Sequence, residues 1–262
     1  MKNIEFKLKR QNDPFIQGFC SFFMQNFAIY NNLDLEDYGG KNGLVRGNKI
    51  VISDHQECDI GLMNVDVDSS PPPAKVVFCN AKKDYRSNEF FFPYLQNAQN
   101  ESLLLDIFDK TAKYEKKYNC VAIFNSHTHR VRTEIKNKLS DICEVIIIDN
   151  INIKNQGKEL NGNIDHWDLM RSSNFCICPP GHVNETYRFY EALKCHCIPI
   201  EFNSECKRLK SFSDKYVISY NDLQSINELE YSIEELLNAQ ENIDREKLLY
   251  YLVNKISSFG IG

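Results

Sequence analysis

The chain has 262 residues, 42% of them apolar and 26% charged, the make-up of an ordinary globular protein with room for one large domain or two small ones. A net charge of −5 gives no electrostatic reason to expect nucleic acid, and no apolar run is long enough to span a membrane. The apolar stretch from Phe15 to Ile29 is interrupted by Gln17, Gly18, Ser21, Gln25 and Asn26 and precedes no small-residue cleavage site, so a cytoplasmic location is expected.

Asn3 to Leu8 alternates polar and apolar residues, as a half-exposed strand does. Asp13-Pro14 is a helix start, and an aromatic-rich helix follows with Phe15, Phe19, Phe22, Phe23, Phe27 and Tyr30. Strands are predicted at Lys49–Ile52, Asp59–Met63 and Lys75–Cys79. Between the last two, Asp66-Val67-Asp68 has the letters of a metal-binding DxD. The triple proline that follows favours a solvated loop instead. The polar loop Asn80–Asn88, with Lys82, Lys83, Asp84 and Arg86, leaves a strand at its carboxyl end, where function is expected. Phe90-Phe91-Phe92-Pro93-Tyr94 reads as core rather than a sugar site.

Glu101–Tyr118 has helical spacing and closes a first half near residue 118. Cys120–Phe124 is a strand, then a polar turn (Asn125, Ser126) leads into a helix running to Asp141, with Ser126 or Thr128 as cap. That turn, with Arg130 and Arg132, is either an anion site at a helix start or an exposed basic surface. Glu144–Ile148 is a strand buried on both faces, and Ile151–Asn163 a polar loop. Asp165–Ser172 is a short helix, Tyr216–Ser219 a last strand, and Asn227–Ala239 and Arg245–Ser258 are amphipathic helices.

The central unit runs from Ser172 to Phe202. The apolar run Phe175–Cys178 stops at Pro179-Pro180-Gly181, a helix begins near Glu185, and Cys197–Ile200 is a second apolar run. Strand, turn, helix and strand make the crossover of a parallel sheet, whose ligands bind beyond the strands' carboxyl ends. Arg188 and Glu191, three apart on one helix face, suit a ligand with both phosphate and hydroxyls, such as a nucleotide sugar; the plain alternative is a surface ion pair. The ten cysteines read as buried packing groups, because Cys176/Cys178 and Cys195/Cys197 lack the CxxC spacing of zinc knuckles. The histidines at 127, 129, 166 and 182 read as solvated or locally bonded.

Phe175-Cys-Ile-Cys-Pro-Pro-Gly181, Arg188-Phe-Tyr-Glu-Ala-Leu193 and Cys197-Ile-Pro-Ile200, in this order and spacing, resemble the exostosin-type glycosyltransferases. Val121–Asp149 is similar to the matching part of α1,3-fucosyltransferases. The resemblance implies an α/β GT-B fold, two Rossmann-like domains facing each other across a cleft: an acceptor-side domain over 1–118, a nucleotide-sugar domain over 119–242, and a helix over 243–262 returning to the first. It further implies inverting transfer from a UDP-sugar, such as UDP-xylose, UDP-glucuronate or UDP-galactose, to a glycan hydroxyl. GDP-fucose transfer is the alternative enzyme, and a non-catalytic donor-binding module or a zinc scaffold the alternatives from other classes. Carried onto this chain, Glu191 would bind ribose and Arg188 the diphosphate, with Asn184, Thr186, Tyr187, Pro180, Gly181, Asn125 and Ser126 around them. Arg188 with Arg130 or Arg132 would stabilise the leaving group without a metal cofactor. The base is expected in the first half, with Asp84 the first candidate and Asp66 and His55 behind it. The extra domain of large exostosins is not expected in these residues, and His196 stands where the family often has Gly.

Overall fold

The computed structural model describes residues 3–28, 34–35, 49–65, 68, 70–80, 84–95, 113–149, 151–155, 165–181, 186–202, 214–219, 221–242 and 244–261. It divides into two compact units: Met1–Leu104 with Cys206–Leu209 and Asp244–Gly262, and Leu105–Glu205 with Lys210–Ile243.

The first unit holds β1 (Asn3–Lys7), α1 (Pro14–Phe22), β2 (Asp34–Leu35), β3 (Lys49–Ser53), β4 (Cys58–Met63), β5 (Ala74–Cys79) and β6 (Glu89–Phe91). The strands form one parallel sheet in the order β2-β1-β3-β4-β5-β6. Asp13 caps α1 as its sequence predicts, with Oδ1 accepting from the N–H groups of Phe15 and Ile16 at 2.9 and 3.2 Å. The helix runs on into a π-helical turn at Phe23–Ala28. Its aromatics pack on the sheet with the run after β5: Phe19 lies 5.2 Å from Phe78 and 4.7 Å from Phe92 between ring centroids, and Phe15 meets Tyr94 edge-on. Residues 90–94 are therefore core, as expected from buried aromatics. Unlike the strands of a doubly wound sheet, β3 and β4 are joined by a short turn, 54–57, rather than a helix. The last helix, α6 (Arg245–Ser257), belongs to this unit: Tyr251 OH donates to Phe91 O at 3.0 Å, and Lys255 Nζ sits 4.7 Å over the Phe90 ring.

The second unit has β7 (Tyr118–Phe124), α2 (Arg130–Ile135), β8 (Val145–Ile148), β9 (Ile151–Asn155), α3 (His166–Arg171), β10 (Ser173–Cys178), α4 (Tyr187–Lys194), β11 (Ile198–Phe202), β12 (Val217–Ile218) and α5 (Ile233–Asn242). Its sheet order is β12-β11-β10-β7-β8-β9, parallel except for β9. From β7 the chain first builds outward to β8 and β9, then crosses back to place β10 on the other side of β7. The order thus reverses between β7 and β10, the point where such sheets open a ligand crevice. One face of the sheet packs Val121, Ile123, Val145, Ile147, Cys176 and Cys178 against Leu169 and Met170 of α3 and Ala192 of α4.

Several elements differ from their sequence reading. The helix expected over Glu101–Tyr118 lies largely outside the described residues, but 113–117 are not helical and β7 starts at Tyr118. Lys116 holds that approach: its ammonium donates to the carbonyls of Arg171, Ser173 and His196 at 3.0, 2.8 and 2.7 Å, using all three of its protons. The helix expected from 126 to 141 breaks into a 3₁₀ turn (126–128), α2 and a second 3₁₀ turn (139–141), and the cap of α2 is His129, whose Nδ1 accepts from Val131 N, rather than Ser126 or Thr128. Part of the loop expected at 151–163 is β9, which pairs antiparallel with β8; Asp149 turns the hairpin at φ 54°. The helix expected over 227–239 begins only at Ile233, preceded by a 3₁₀ stretch at Leu223–Glu228.

Gly61 is closely packed within the first sheet. A Cβ there would meet Pro72 Cγ at 2.8 Å, Ala74 Cβ at 3.0 Å and Val77 Cγ2 at 3.1 Å. Ring and branched atoms cannot swing aside, so Gly61→Ala is expected to destabilise the first unit by about 1–3 kcal/mol, read as a lower urea midpoint.

Candidate functional site

At the carboxyl ends of β7 and β10 lie Asn125 and Pro179-Pro180-Gly181. Two successive prolines offer carbonyls and no N–H, so a buried Pro-Pro turn needs donors from elsewhere. Arg132 supplies them. Its Nε donates to Pro180 O at 2.8 Å and Nη2 to Pro179 O at 3.2 Å, while Nη1 donates to Asn125 O at 3.1 Å. One side chain of α2 therefore ties together the loops of both strands that flank the switch point. Its guanidinium also lies 5.7 Å from the centre of the Phe124 ring.

Arg132 is 9% exposed and, among the described residues, forms no ion pair with a carboxylate. Burial pulls its pKa from the ordinary 12.5 to about 10; Cys178 opposes the fall and the charge of Arg188 adds to it. A second cation thus stands close to one already short of counter-charge. Arg188, in the first turn of α4, pairs with Glu191 through Nη1 and Oε2 at 2.8 Å, and the same Nη1 lies 3.8 Å from Met170 Sδ. Glu191 is 8% exposed, so this is a largely desolvated pair and not a solvated one. Thr186 stands at the N-cap of α4 without a side-chain capping bond. The strong net feature of this edge is positive charge around a small number of fixed backbone groups.

The neighbouring turn is fixed by Asp149, which accepts from Ser126 N at 2.8 Å and from Ser126 Oγ at 2.6 Å, with His127 Nδ1 3.4 Å away. Ser126 is thus held within hydrogen-bond distance of a neighbouring strand end. His166, at the start of α3, was not distinguished by sequence from the other histidines. It is half-buried, and its pKa is lowered first by burial and then by Arg188, with Glu191 and Asp165 opposing. Only its place in the fold marks it.

The remaining sequence candidates are spread more widely. Arg130 points outward, paired with Glu134 at 2.5 Å. Tyr187 and Gly181 border the crevice loops, while Asn184 and His182 lie outside the described residues. In the first unit, Asp66 is likewise outside them, and Asp84 is exposed on the loop after β5. Asp68, the second acid of the DxD letters, binds the Arg10 guanidinium through Oδ2, which also accepts from Asn64 N at 2.9 Å. His55 Nδ1 lies 2.8 Å from Asp54 Oδ1, a buried partner that motif reading passed over. The signal available was an acid and a histidine side by side at a strand end. The nine described cysteines are free thiols, and among the described residues no group of three or more His, Cys, Asp or Glu could hold a metal. Burial pushes the Cys195 thiol up to about 12, consistent with apolar packing.

An exostosin GT47 domain model matches residues 74–242. Two Arabidopsis thaliana proteins, both described as probable glycosyltransferases, are each 32% identical to this chain, one over 66 residues and the other over 83. These stretches are 25% and 29% of this chain but only 12% and 16% of the two relatives' own length. A solved α1,3-fucosyltransferase structure with GDP-fucose aligns over 97% of this chain and 90% of that one, at 13% identity and a TM-score of 0.51. With two separate sheets of parallel character, the architecture is that of a GT-B α/β protein.

Two measurements probe this edge. Replacing Arg132 by Lys keeps the charge but gives one nitrogen where three carbonyls on two sides of a planar fork need donors. Arg132→Lys is expected to cost about 2–4 kcal/mol of stability in denaturant titration, since at least one buried carbonyl loses its donor. For His166 the folded pKa lies below the unfolded one, so the folded state binds fewer protons and stability falls as pH drops through the unfolded value of about 6.5. His166→Gln should flatten the dependence of the denaturation midpoint on pH between about 7 and 5.

Proposed function

Because the chain belongs to the exostosin GT47 family, we propose that it is a glycosyltransferase moving a sugar from a nucleotide-sugar donor to a hydroxyl of a glycan acceptor. The observation that carries this reading is Arg132: a buried guanidinium with no carboxylate partner among the described residues, beside a second arginine, at the switch point of a parallel sheet. A diphosphate there supplies counter-charge to Arg132 and shares Arg188 with Glu191, and in the transition state it is the group on which negative charge grows.

Arg188 shares the direct contact with Arg132, which keeps two of its five N–H donors after those given to Pro179, Pro180 and Asn125. Arg132 acts on the phosphates as a fixed charge and as the tie that sets the loop carbonyls. Glu191 holds Arg188 in place at 2.8 Å and accepts from a ribose hydroxyl with its remaining lone pairs. Gly181, Thr186 and Tyr187 stand around the phosphates, with Asn125 and Ser126 opposite; Asn184, expected there from the sequence, lies outside the described residues. The donor is a UDP-sugar such as UDP-xylose, UDP-glucuronate or UDP-galactose, the transfer is inverting, and the arginines replace a metal in stabilising the leaving diphosphate.

A thermal-shift screen against UDP-, GDP-, CMP- and dTDP-sugars, with and without chelator, tests this. A UDP-sugar should raise the melting temperature equally in both conditions. Stabilisation by GDP-fucose alone would reassign the donor, and no response to any nucleotide would end the reading. Arg188→Ala should weaken donor binding by about tenfold or more, the loss of one charge-assisted contact of about 1.5–3 kcal/mol. If UDP stabilises Glu191→Ala as well as the wild type, the ribose role is wrong. Donor binding with no transfer to any glycan would leave a binding module.

A further inference from the structure

We propose that Cys120 and Cys143 form a paired redox site, which a small-molecule disulfide oxidises to a covalent bridge between β7 and the entry to β8. The inference lies within the second unit and does not depend on the donor reading. The two sulfurs are 3.2 Å apart, and both side chains are buried. A disulfide bond is about 2.05 Å long, so bonding asks for a further approach of about 1.2 Å. Small rotations about the two Cα–Cβ bonds supply such a shift where the backbones already stand at the right separation.

Here contacts around both cysteines hold that separation. Val121 pairs with Val145 in the parallel ladder of β7 and β8. Just before it, Glu144 N donates to Cys120 O at 3.1 Å, and the Glu144 carboxylate accepts from Cys120 N at 2.9 Å and Asn119 N at 3.3 Å. Cys143 N donates to Leu139 O at 2.9 Å, in the 3₁₀ turn that precedes β8. Cys120 and Cys143 are thus offset by one residue across this pairing. For chains about 4.8 Å apart rising about 3.3 Å per residue, that offset puts Cα atoms about 5.8 Å apart. A disulfide spans about 4.4–6.8 Å between Cα atoms.

Burial pushes the Cys120 thiol well above its ordinary pKa, and the neighbouring Cys143 sulfur raises it further. Cys120 is therefore a protonated thiol within a strand, and Cys143, on the segment leading into β8, is the sulfur that meets the oxidant first. Cys143 gives up its proton and attacks a disulfide of the glutathione type. A mixed disulfide forms on Cys143 and one thiol leaves. Cys120 then loses its proton, attacks the Cys143 sulfur and expels the second thiol. Each protein sulfur is oxidised by one electron and the oxidant is reduced to two thiols. The bridge joins residues 23 apart and closes the segment that carries α2 and Arg132. It sits toward the amino end of β7, away from Asn125 and the crevice loops. Removing freedom from the unfolded chain in this way stabilises the fold.

The full chain, incubated with oxidised glutathione at about pH 8.5, near the ordinary thiol pKa, tests the site. The product is alkylated in denaturant and mapped without reduction. A peptide pair joined through Cys120 and Cys143 is expected, with two of the ten cysteines lost to alkylation. The urea midpoint should rise by on the order of 1 M and return to its starting value with reductant. Cys143→Ala should show neither the linked pair nor the rise. Alkylation of both Cys120 and Cys143 after oxidation overturns the proposal, as does glutathione retained on Cys143 without closure, or a bond from Cys120 to another cysteine. A linked pair with an unchanged or lowered midpoint overturns it too, since the bond would then strain the sheet instead of fastening it. Should the variant fail to fold, the map and midpoint of the wild type decide.

Discussion

A guanidinium taken out of water without a carboxylate beside it costs several kcal/mol, and the second unit accepts that cost at Arg132. Three backbone carbonyls offset part of it, and they are the ones a Pro-Pro turn and the adjacent strand end leave without donors. Carbonyl dipoles, however, do not neutralise a unit charge, and Arg188 beside it makes matters worse. At a topological switch point such an arrangement suits the diphosphate proposed above. The loops after β7 and β10 are held by the same tie.

The two buried cations of this sheet divide the work by chemistry. Lys116, at the amino edge, is a compact ammonium whose three protons meet the carbonyls of Arg171, Ser173 and His196, two of them on strands' flanks. Its pKa is lowered by burial, and its role ends with holding the start of β7 against β10 and the turn before β11. His196 occupies that turn at φ 53°, a left-handed position in which its carbonyl also accepts from Tyr231 OH at 3.1 Å. Arg132, at the carboxyl edge, is a planar fork that bridges two loops and still presents charge. Swapping the two residue types would leave each site with the wrong number of directions to donate in.

Much of this was legible in the residues. The Ile-rich run of β8, the Asp13-Pro14 start of α1 and the blocks around α4 carry their structure locally, through burial, capping and a fixed i,i+3 pairing. What escaped depends on contacts distant in sequence. Ile151-Asn-Ile-Lys-Asn155 does alternate, but only pairing with β8 makes it a strand, and a polar segment with glycines beyond it looks like a loop. His129 displaced Ser126 and Thr128 as cap because Ser126 is already committed to Asp149, 23 residues on. Arg132 could be read as a ligand for phosphate, yet its partners lie 47 and 48 residues away on a turn whose lack of N–H groups is visible in the sequence while its burial is not. Asp54 was passed over for a similar reason: a lone acid before a histidine is unremarkable until both its oxygens are seen to be fixed by the strand next door.

The strand ends of the two units are built from different contacts. In the first unit, Asp13, Asp54 and Asp68 gather around Arg10, and Asp54 also meets His55. In the second, helical crossovers deliver Arg132 and Arg188, with Glu191 paired to Arg188 and a second buried glutamate, Glu201, on the neighbouring β11. Arg10 is thus answered by carboxylates, whereas Arg132, among the described residues, meets backbone carbonyls and no acid.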